Sequence, residues 1–533
     1  LGGNNPLQAI KLTWSTGNIW RGTIALPAGE EVTYRYARRD FNATAWGNTN
    51  NLDVLTGVLT ARAPDHVAAP WGGKTIFLRS AWPQANILYR DLTLGGAWSE
   101  TPMQKMDVDI FRIDGLVENG SEIEFVFNDG SGNWLNAPAP PSDTAQGAAP
   151  SVPAPYQSLS APYNFRTSLD VFFVQDQQIF NYEPPAAGLS APRVEVRQVG
   201  STVADIPGRQ IAIYLPRGYD ENTWKRYPVV YFHDGQNVFF PGGSFGTWDA
   251  DRIASYETGQ GRMRESILVG IDNNANRLGE YMPNGDTFSG TQGIASNYLQ
   301  FILDNVTPTL DFNYRTLGDA ANTITAGSSM GGLVSDYIAF QQSNRFGTAG
   351  IFSPAYWAGP NYLANRQLSR LPLRRYLYMG TAESSGGESS SDVYWQGAIN
   401  AWNDYLGTGH PVHRDLLFEG GAAALHNEPA WSRRLPAFFA FALDPWREAN
   451  PLALEYFPPT LSAVANSEEI TLHWTGLFGI ETEIHTATSL QFPWLTRITN
   501  TAPSVSEFWD EASSDAPALS DTTAFWRLRA YPR

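Results

Sequence analysis

A chain of 533 residues is too long for one hydrophobic core, so several domains are expected. The net charge of −17 opposes nucleic acid and anionic lipid as partners, and the absence of cysteine excludes disulfides, thiolate nucleophiles and cysteine metal sites. Seven histidines lack HExxH or similar spacing and no stretch approaches the roughly 20 apolar residues of a membrane helix, so neither a metal, a cofactor nor a membrane partner is expected.

The first 66 residues alternate apolar and polar positions (EVTYRYARRD) between Gly, Pro and Asn, which is strand and turn chemistry. Residues 67–184 continue it in KTIFLRSAW, NILYRDLTL, VDIFRIDGL and SEIEFVFNDGSGNWLN, with an Ala/Pro/Ser-rich loop near 137–162. Two β-sandwich modules are therefore expected, 1–66 and 67–184, followed by a linker over 185–194. From 195 to 447 apolar runs such as YPVVYFHDG, ESILVGIDN, TITAGSS, GTAGIFSP and RRYLYMGT alternate with helical patterns. That grammar predicts an α/β domain built on a mostly parallel sheet with helices on both faces. Residues 450–533 return to strand grammar and predict a small C-terminal β-sandwich-like domain of unassigned role.

The chemistry concentrates in Gly327-Ser328-Ser329-Met330-Gly331-Gly332, which follows a β-branched run and opens a helical pattern. A GxSxG turn between strand and helix exposes its serine as a nucleophile, and flanking glycines let the backbone close around it. In such a fold the order is Ser, acid, His. His66 and His233 come too early, His410 and His413 precede the strand HRDLLFEG, and His473 and His485 lie in the C-terminal β region. His426, in the loop after that strand, is left as the base. The acid should follow YLYMGT, where Glu383 is nearest and Asp392 is the reserve. An oxyanion hole is expected from the N–H groups of Met330 and of Gly235 or Gln236, just after PVVYF.

GRQIAIYLPRGYD, YFHDGQNVF, RLGEYMPN, TAGSSMGG, FSPAYW and HNEPAWSRRLP, in this order, resemble an esterase family of the α/β-hydrolase fold. It includes enterochelin-type esterases, esterase D and the feruloyl and acetylxylan esterases of carbohydrate-esterase family one. The resemblance covers about 195–445 and implies Ser329 and His426 as nucleophile and base. Relatives often carry Gly-Thr-x-Asp where this chain has Gly380-Thr381-Ala382-Glu383, which points to Glu383 while leaving the acid open. Residues 1–66 resemble a possibly truncated starch-binding module of carbohydrate-binding family twenty, and 67–184 are similar to family twenty-five modules. Trp46 in the first and Trp98 and Trp134 in the second are the sugar-contact candidates. Trp248, Trp357, Tyr394 and Trp395 fall in loops expected to rim the cleft.

The expected function is a serine carboxylic-ester hydrolase that deacylates a carbohydrate polymer through an acyl-enzyme while its modules bind α-glucan. A feruloyl-type or broad carboxylesterase, an acyltransferase to sugar and a non-catalytic glucan-binding protein are the alternatives. The start at Leu1, without a signal sequence, suggests a processed or trimmed chain, and sugar-binding modules suggest a secreted, periplasmic or cell-surface location. Oligomeric state is left open.

Overall fold

A computed structural model describes residues 74–443, apart from interruptions of which 141–152, 181–187, 367–372 and 385–391 are the longest. Outside that span it describes strands only, among them Glu31–Ala37 paired with Val54–Thr60, and Ile480–Ala487 paired with Leu495–Thr501 and Phe525–Pro532. Trp46 lies outside the described residues. No helix among those described is long and apolar enough to cross a membrane.

The period-2 runs between 74 and 180 form two five-stranded sheets. One contains Thr75–Arg79, Gln104–Lys105, Ile110–Asp114, Val171–Gln175 and Gln178–Phe180. The other contains Asn86–Asp91, Ser99–Pro102, Ile123–Asn128, Trp134–Leu135 and Phe165–Thr167. A single apolar cluster takes Ile76, Leu78, Phe111 and Phe172 from the first sheet and Ile87, Phe125, Phe127 and Phe165 from the second. Alternate positions of each strand thus turn inward, as the pleat requires.

The larger unit is built on eight strands: β1 (Arg193–Val199), β2 (Arg209–Leu215), β3 (Val229–His233), β4 (Ile267–Ile271), β5 (Thr323–Ser328), β6 (Thr348–Phe352), β7 (Arg374–Gly380) and β8 (Leu416–Gly421). They lie in the order β1-β2-β4-β3-β5-β6-β7-β8. The β1–β2 and β2–β4 pairs are antiparallel, and every pair beyond β4 is parallel. All residues of β3, β4, β5, β6 and β8 are buried, as expected of parallel strands covered on both faces. Alternate residues feed two cores. Tyr231, Ile351 and Leu377 pack with α2 (Met330–Gln341) and α3 (Val393–Leu406), whereas Phe232, Phe352 and Tyr376 pack with α1 (Ala250–Gly259) and α4 (Leu435–Leu443). This is the α/β-hydrolase arrangement, with helices on both faces. β1 begins at Arg193, inside the stretch predicted as linker, because the alternation Arg193-Val194-Glu195-Val196 already starts there.

Candidate active site

Ser329 caps α2 directly after β5, in a positive-φ conformation with φ 57° and ψ −121°. Positive φ is costly for serine and occurs where surrounding structure enforces it. Two close approaches enforce it here. A Cβ on Gly327 would stand 2.8 Å from the Gly331 carbonyl carbon, and one on Gly332 would stand 2.7 Å from the Phe352 oxygen. Backbone bonds then tie the turn to the end of β6: Ser329 N–H donates to Phe352 O at 3.0 Å, and Ala355 N–H donates to Ser329 O at 2.9 Å. Ser329 is half-buried at the carboxyl end of the sheet. Met330, at the first position of α2, offers one of the N–H groups that a helix start leaves without an internal acceptor.

β7 and β8 end at the same edge and deliver Glu383 and His426. His426 Nδ1 lies 2.5 Å from Glu383 Oε2. Glu383 is buried, and its Oε1 accepts the N–H of Gly380 at 2.7 Å and the hydroxyl of Ser353 at 2.6 Å. A carboxylate that accepts from Nδ1–H fixes the imidazole tautomer and leaves Nε2 as a lone-pair acceptor. Asp392, the reserve acid, is used elsewhere. It caps α3, accepting the N–H groups of Tyr394 at 2.8 Å and Trp395 at 3.3 Å. A short side chain one residue before a helix satisfies first-turn donors, and this use turns its carboxylate toward the helix.

The turn after β3 stands against the Ser329 turn, since a Cβ on Gly331 would lie 3.2 Å from Asp234 Oδ2. Asp234 is left-handed at φ 60°, and Arg277 grips its carboxylate with Nε at 2.6 Å and Nη2 at 2.7 Å. Burial would weaken a lone guanidinium, but the hydrogen bond and charge of Asp234 raise the Arg277 pKa above its ordinary value. Gly235 follows, packed so closely on β4 that a Cβ would sit 2.4 Å from the Gly270 carbonyl carbon, and Gln236 is exposed. Asn237, which sequence reasoning did not single out, donates to Glu428 Oε1 at 3.1 Å and so joins this turn to the helix after His426. Burial raises the Glu428 pKa.

The four predicted rim aromatics divide. Tyr394 lies with its ring centroid 4.8 Å from that of His426, and Trp357 meets Tyr394 edge-on at 6.1 Å. Trp248 and Trp395 are not on the rim. Trp395 is 1% exposed against Phe418, on the inward face of α3, and Trp248 is 4% exposed among Phe232, Phe352 and Trp431. Indoles beside an apolar core bury their area there, and chain position alone does not reveal that neighbour. One residue not foreseen extends the rim, Phe288, which stacks edge-on against Trp357 at 4.7 Å, whereas Trp431 meets His426 edge-on at 5.1 Å from within the core. Phe288 belongs to the hairpin Thr287–Phe288 and Thr291–Gln292, for which Ser289-Gly290 was the available turn signal.

Residues 208–440 match the protein-family model Esterase. The uncharacterized protein YbbA of Bacillus subtilis (strain 168) is 28% identical over 191 residues, 34% of this chain and 71% of that protein. An endo-1,4-beta-xylanase/feruloyl esterase of Xylanibacter ruminicola is 25% identical over 185 residues, 33% of this chain but 23% of that enzyme. A ferulic acid esterase structure from Anaeromyces mucronatus shares 22% identity at a TM-score of 0.37, over 49% of this chain and 94% of that one. The family match takes in β2 to β8 and the carboxyl edge of the sheet where the site lies, and the enzyme is a carboxylic ester hydrolase.

Proposed function

We propose that the enzyme cleaves its ester by two-step acyl transfer, with Ser329 as nucleophile, His426 as general base and Glu383 as the acid that orients it. The 2.5 Å contact between His426 Nδ1 and Glu383 Oε2 carries this reading, because it leaves Nε2 available to take the Ser329 proton. Ser329 Oγ attacks the ester carbonyl, and the negative oxygen is held by the Met330 N–H and by Gly235 or Gln236. His426 then protonates the departing alcohol, water attacks the acyl-enzyme with His426 again as base, and the acid leaves.

The substrate class we favour is an acylated carbohydrate. Support comes from the outward face of the second front sheet, where Trp134 is 54% exposed and Trp98 is 40% exposed. Between them Asn86, Asn128 and Glu100 form a hydrogen-bonded row, and Arg90 stacks over Trp98 at 5.1 Å. Flat indoles flanking polar groups suit an α-glucan chain, and tethering would raise the local ester concentration. The strip of Phe288, Trp357 and Tyr394 beside His426 favours a second reading, esters of aromatic acids.

Initial rates of acid release from acetylated amylose and methyl ferulate, each with Ser329→Ala as control, separate the two readings. A Ser329-dependent rate higher on acetylated amylose supports glucan deacylation, and a preference for methyl ferulate supports the aryl ester. Turnover that survives Ser329→Ala overturns the serine mechanism. Loss of amylose retention in Trp134→Ala, with methyl ferulate turnover intact, is expected if the front face binds glucan.

A further inference from the structure

Behind Glu383 lies a second layer of hydrogen bonds that the acyl-transfer scheme does not use. Ser353, the first residue after β6, is fully buried with φ at 40°. Trp431 Nε1 donates to Ser353 Oγ at 2.8 Å, and Ser353 Oγ donates to Glu383 Oε1 at 2.6 Å. An indole N–H can only donate and a hydroxyl has one proton, so the chain has a single direction: Trp431 to Ser353 to Glu383, with Glu383 then accepting from His426.

We propose that Ser353 and Trp431 are positioning residues that hold Glu383, and through it His426, in the orientation acyl transfer requires. This rests on the roles proposed above for Ser329, His426 and Glu383. Glu383 Oε1 already accepts the Gly380 N–H at 2.7 Å, so burial alone does not call for a second donor. Ser353 also occupies a left-handed conformation that glycine adopts without steric cost, yet it carries a side chain there.

The relay ties together three strand ends. Ser353 N–H donates to Tyr378 O of β7 at 2.8 Å, and the preceding Phe352 O holds the Ser329 N–H. Trp431 comes from the helix Glu428–Ser432, just after His426, and its ring also meets the imidazole edge-on. A slip at Ser353 therefore reaches the acid, the base and the nucleophile's turn together. Displacement of such a group by an ångström can cost up to about 100-fold in rate.

The test is a double-mutant cycle on the full chain with methyl ferulate or another turned-over ester. Ser353→Gly removes the hydroxyl and suits the backbone, and Trp431→Phe keeps an aromatic ring but removes the N–H. Each is expected to lower kcat about 10-fold with KM within about twofold, as loss of an interaction needed in the transition state does. In a Glu383→Ala background, which removes the acceptor, Ser353→Gly should change kcat by less than about twofold. Equal losses in both backgrounds, or an unchanged kcat in both single variants with melting temperatures preserved, overturn the relay. Turnover in Ser329→Ala would instead overturn the catalytic assignment beneath it, and that variant is measured first.

Discussion

Tyr156, in the turn that leads back from the front sandwich's insertion, donates a 2.6 Å hydrogen bond to Glu257 on α1 of the esterase domain. The contact is buried, Tyr256 packs on the Tyr156 ring at 4.6 Å, and Arg262 approaches the same glutamate at 3.6 Å. Burial and the neighbouring carboxylate both push the Tyr156 pKa well above its ordinary value, so the phenol stays a donor. The sandwich is therefore docked on the esterase domain through a charge-assisted bond.

Removing that bond should cost stability rather than chemistry. Tyr156→Phe keeps the ring and leaves the buried Glu257 without the phenol's proton, an expected loss of about 1–3 kcal/mol. Urea unfolding of the full chain reads the loss, and kcat on methyl ferulate should stay within about twofold. A large kcat effect with unchanged unfolding would reverse the assignment.

The two candidate acids give opposite signatures. Glu383→Gln should lower kcat by about 10²–10⁴-fold if, as proposed, His426 is the base and Glu383 the carboxylate that orients it. Asp392→Ala should leave kcat near the parent value and lower stability by about 1 kcal/mol, since it removes only a helix cap. Parallel kinetics and thermal melts of the two variants check both halves.

Sequence period and order revealed more than the loops did. Fully apolar runs such as Val229–His233 and Ile267–Ile271 could only be covered strands, and a serine turn between strand and helix had few conformations open to it. Glu383 and Asp392 are different. Both lie in one loop, and what separates them is that Asp392 meets the first turn of α3 whereas Glu383 meets the ring of His426. That is decided by where α3 starts, for which an aspartate just before Val393-Tyr394-Trp395 was the available signal. Ser353 and Trp431 lie in FSPAYW and HNEPAWSRRLP, but a lone serine and a lone tryptophan carry no spacing signal for a hydrogen bond across 78 residues.

A buried histidine outside the site gives the enzyme a predictable acid sensitivity. His233, the last residue of β3, is held between Tyr298 OH at 2.9 Å and Thr325 Oγ1 at 3.0 Å. Burial lowers its pKa from 6.5 to about 3. Below pH 6.5 the unfolded chain binds a proton that the native state does not, so stability is present above that value and lost as pH falls toward 3. Between pH 7 and 4.5 this single group should remove about 2–3 kcal/mol. Urea midpoints of the parent and His233→Gln at both pH values test it, and the variant should show a pH slope smaller by one proton.

Two tryptophans that look alike in the sequence should respond to truncation in opposite ways. Trp357 lies in a strip running from Phe288 to Tyr394 beside His426, whereas Trp248 is enclosed by Phe232, Phe352 and Trp431. Trp248→Ala should open a cavity worth about 3–5 kcal/mol and lower the melting temperature sharply. Trp357→Ala removes a half-exposed wall, so the fold should persist while aromatic substrates lose a stacking partner. A contact of that kind is worth about 0.5–1.5 kcal/mol beyond area, which corresponds to roughly a 2–10-fold rise in KM for an aryl ester. If the wall binds the aryl group in ground and transition states alike, kcat should not follow KM. An acetyl ester, with no ring to stack, should show little change in either. Equal effects of Trp357→Ala on acetyl and aryl esters would mean that the strip supports the loop at His426 and leaves acyl recognition to other residues.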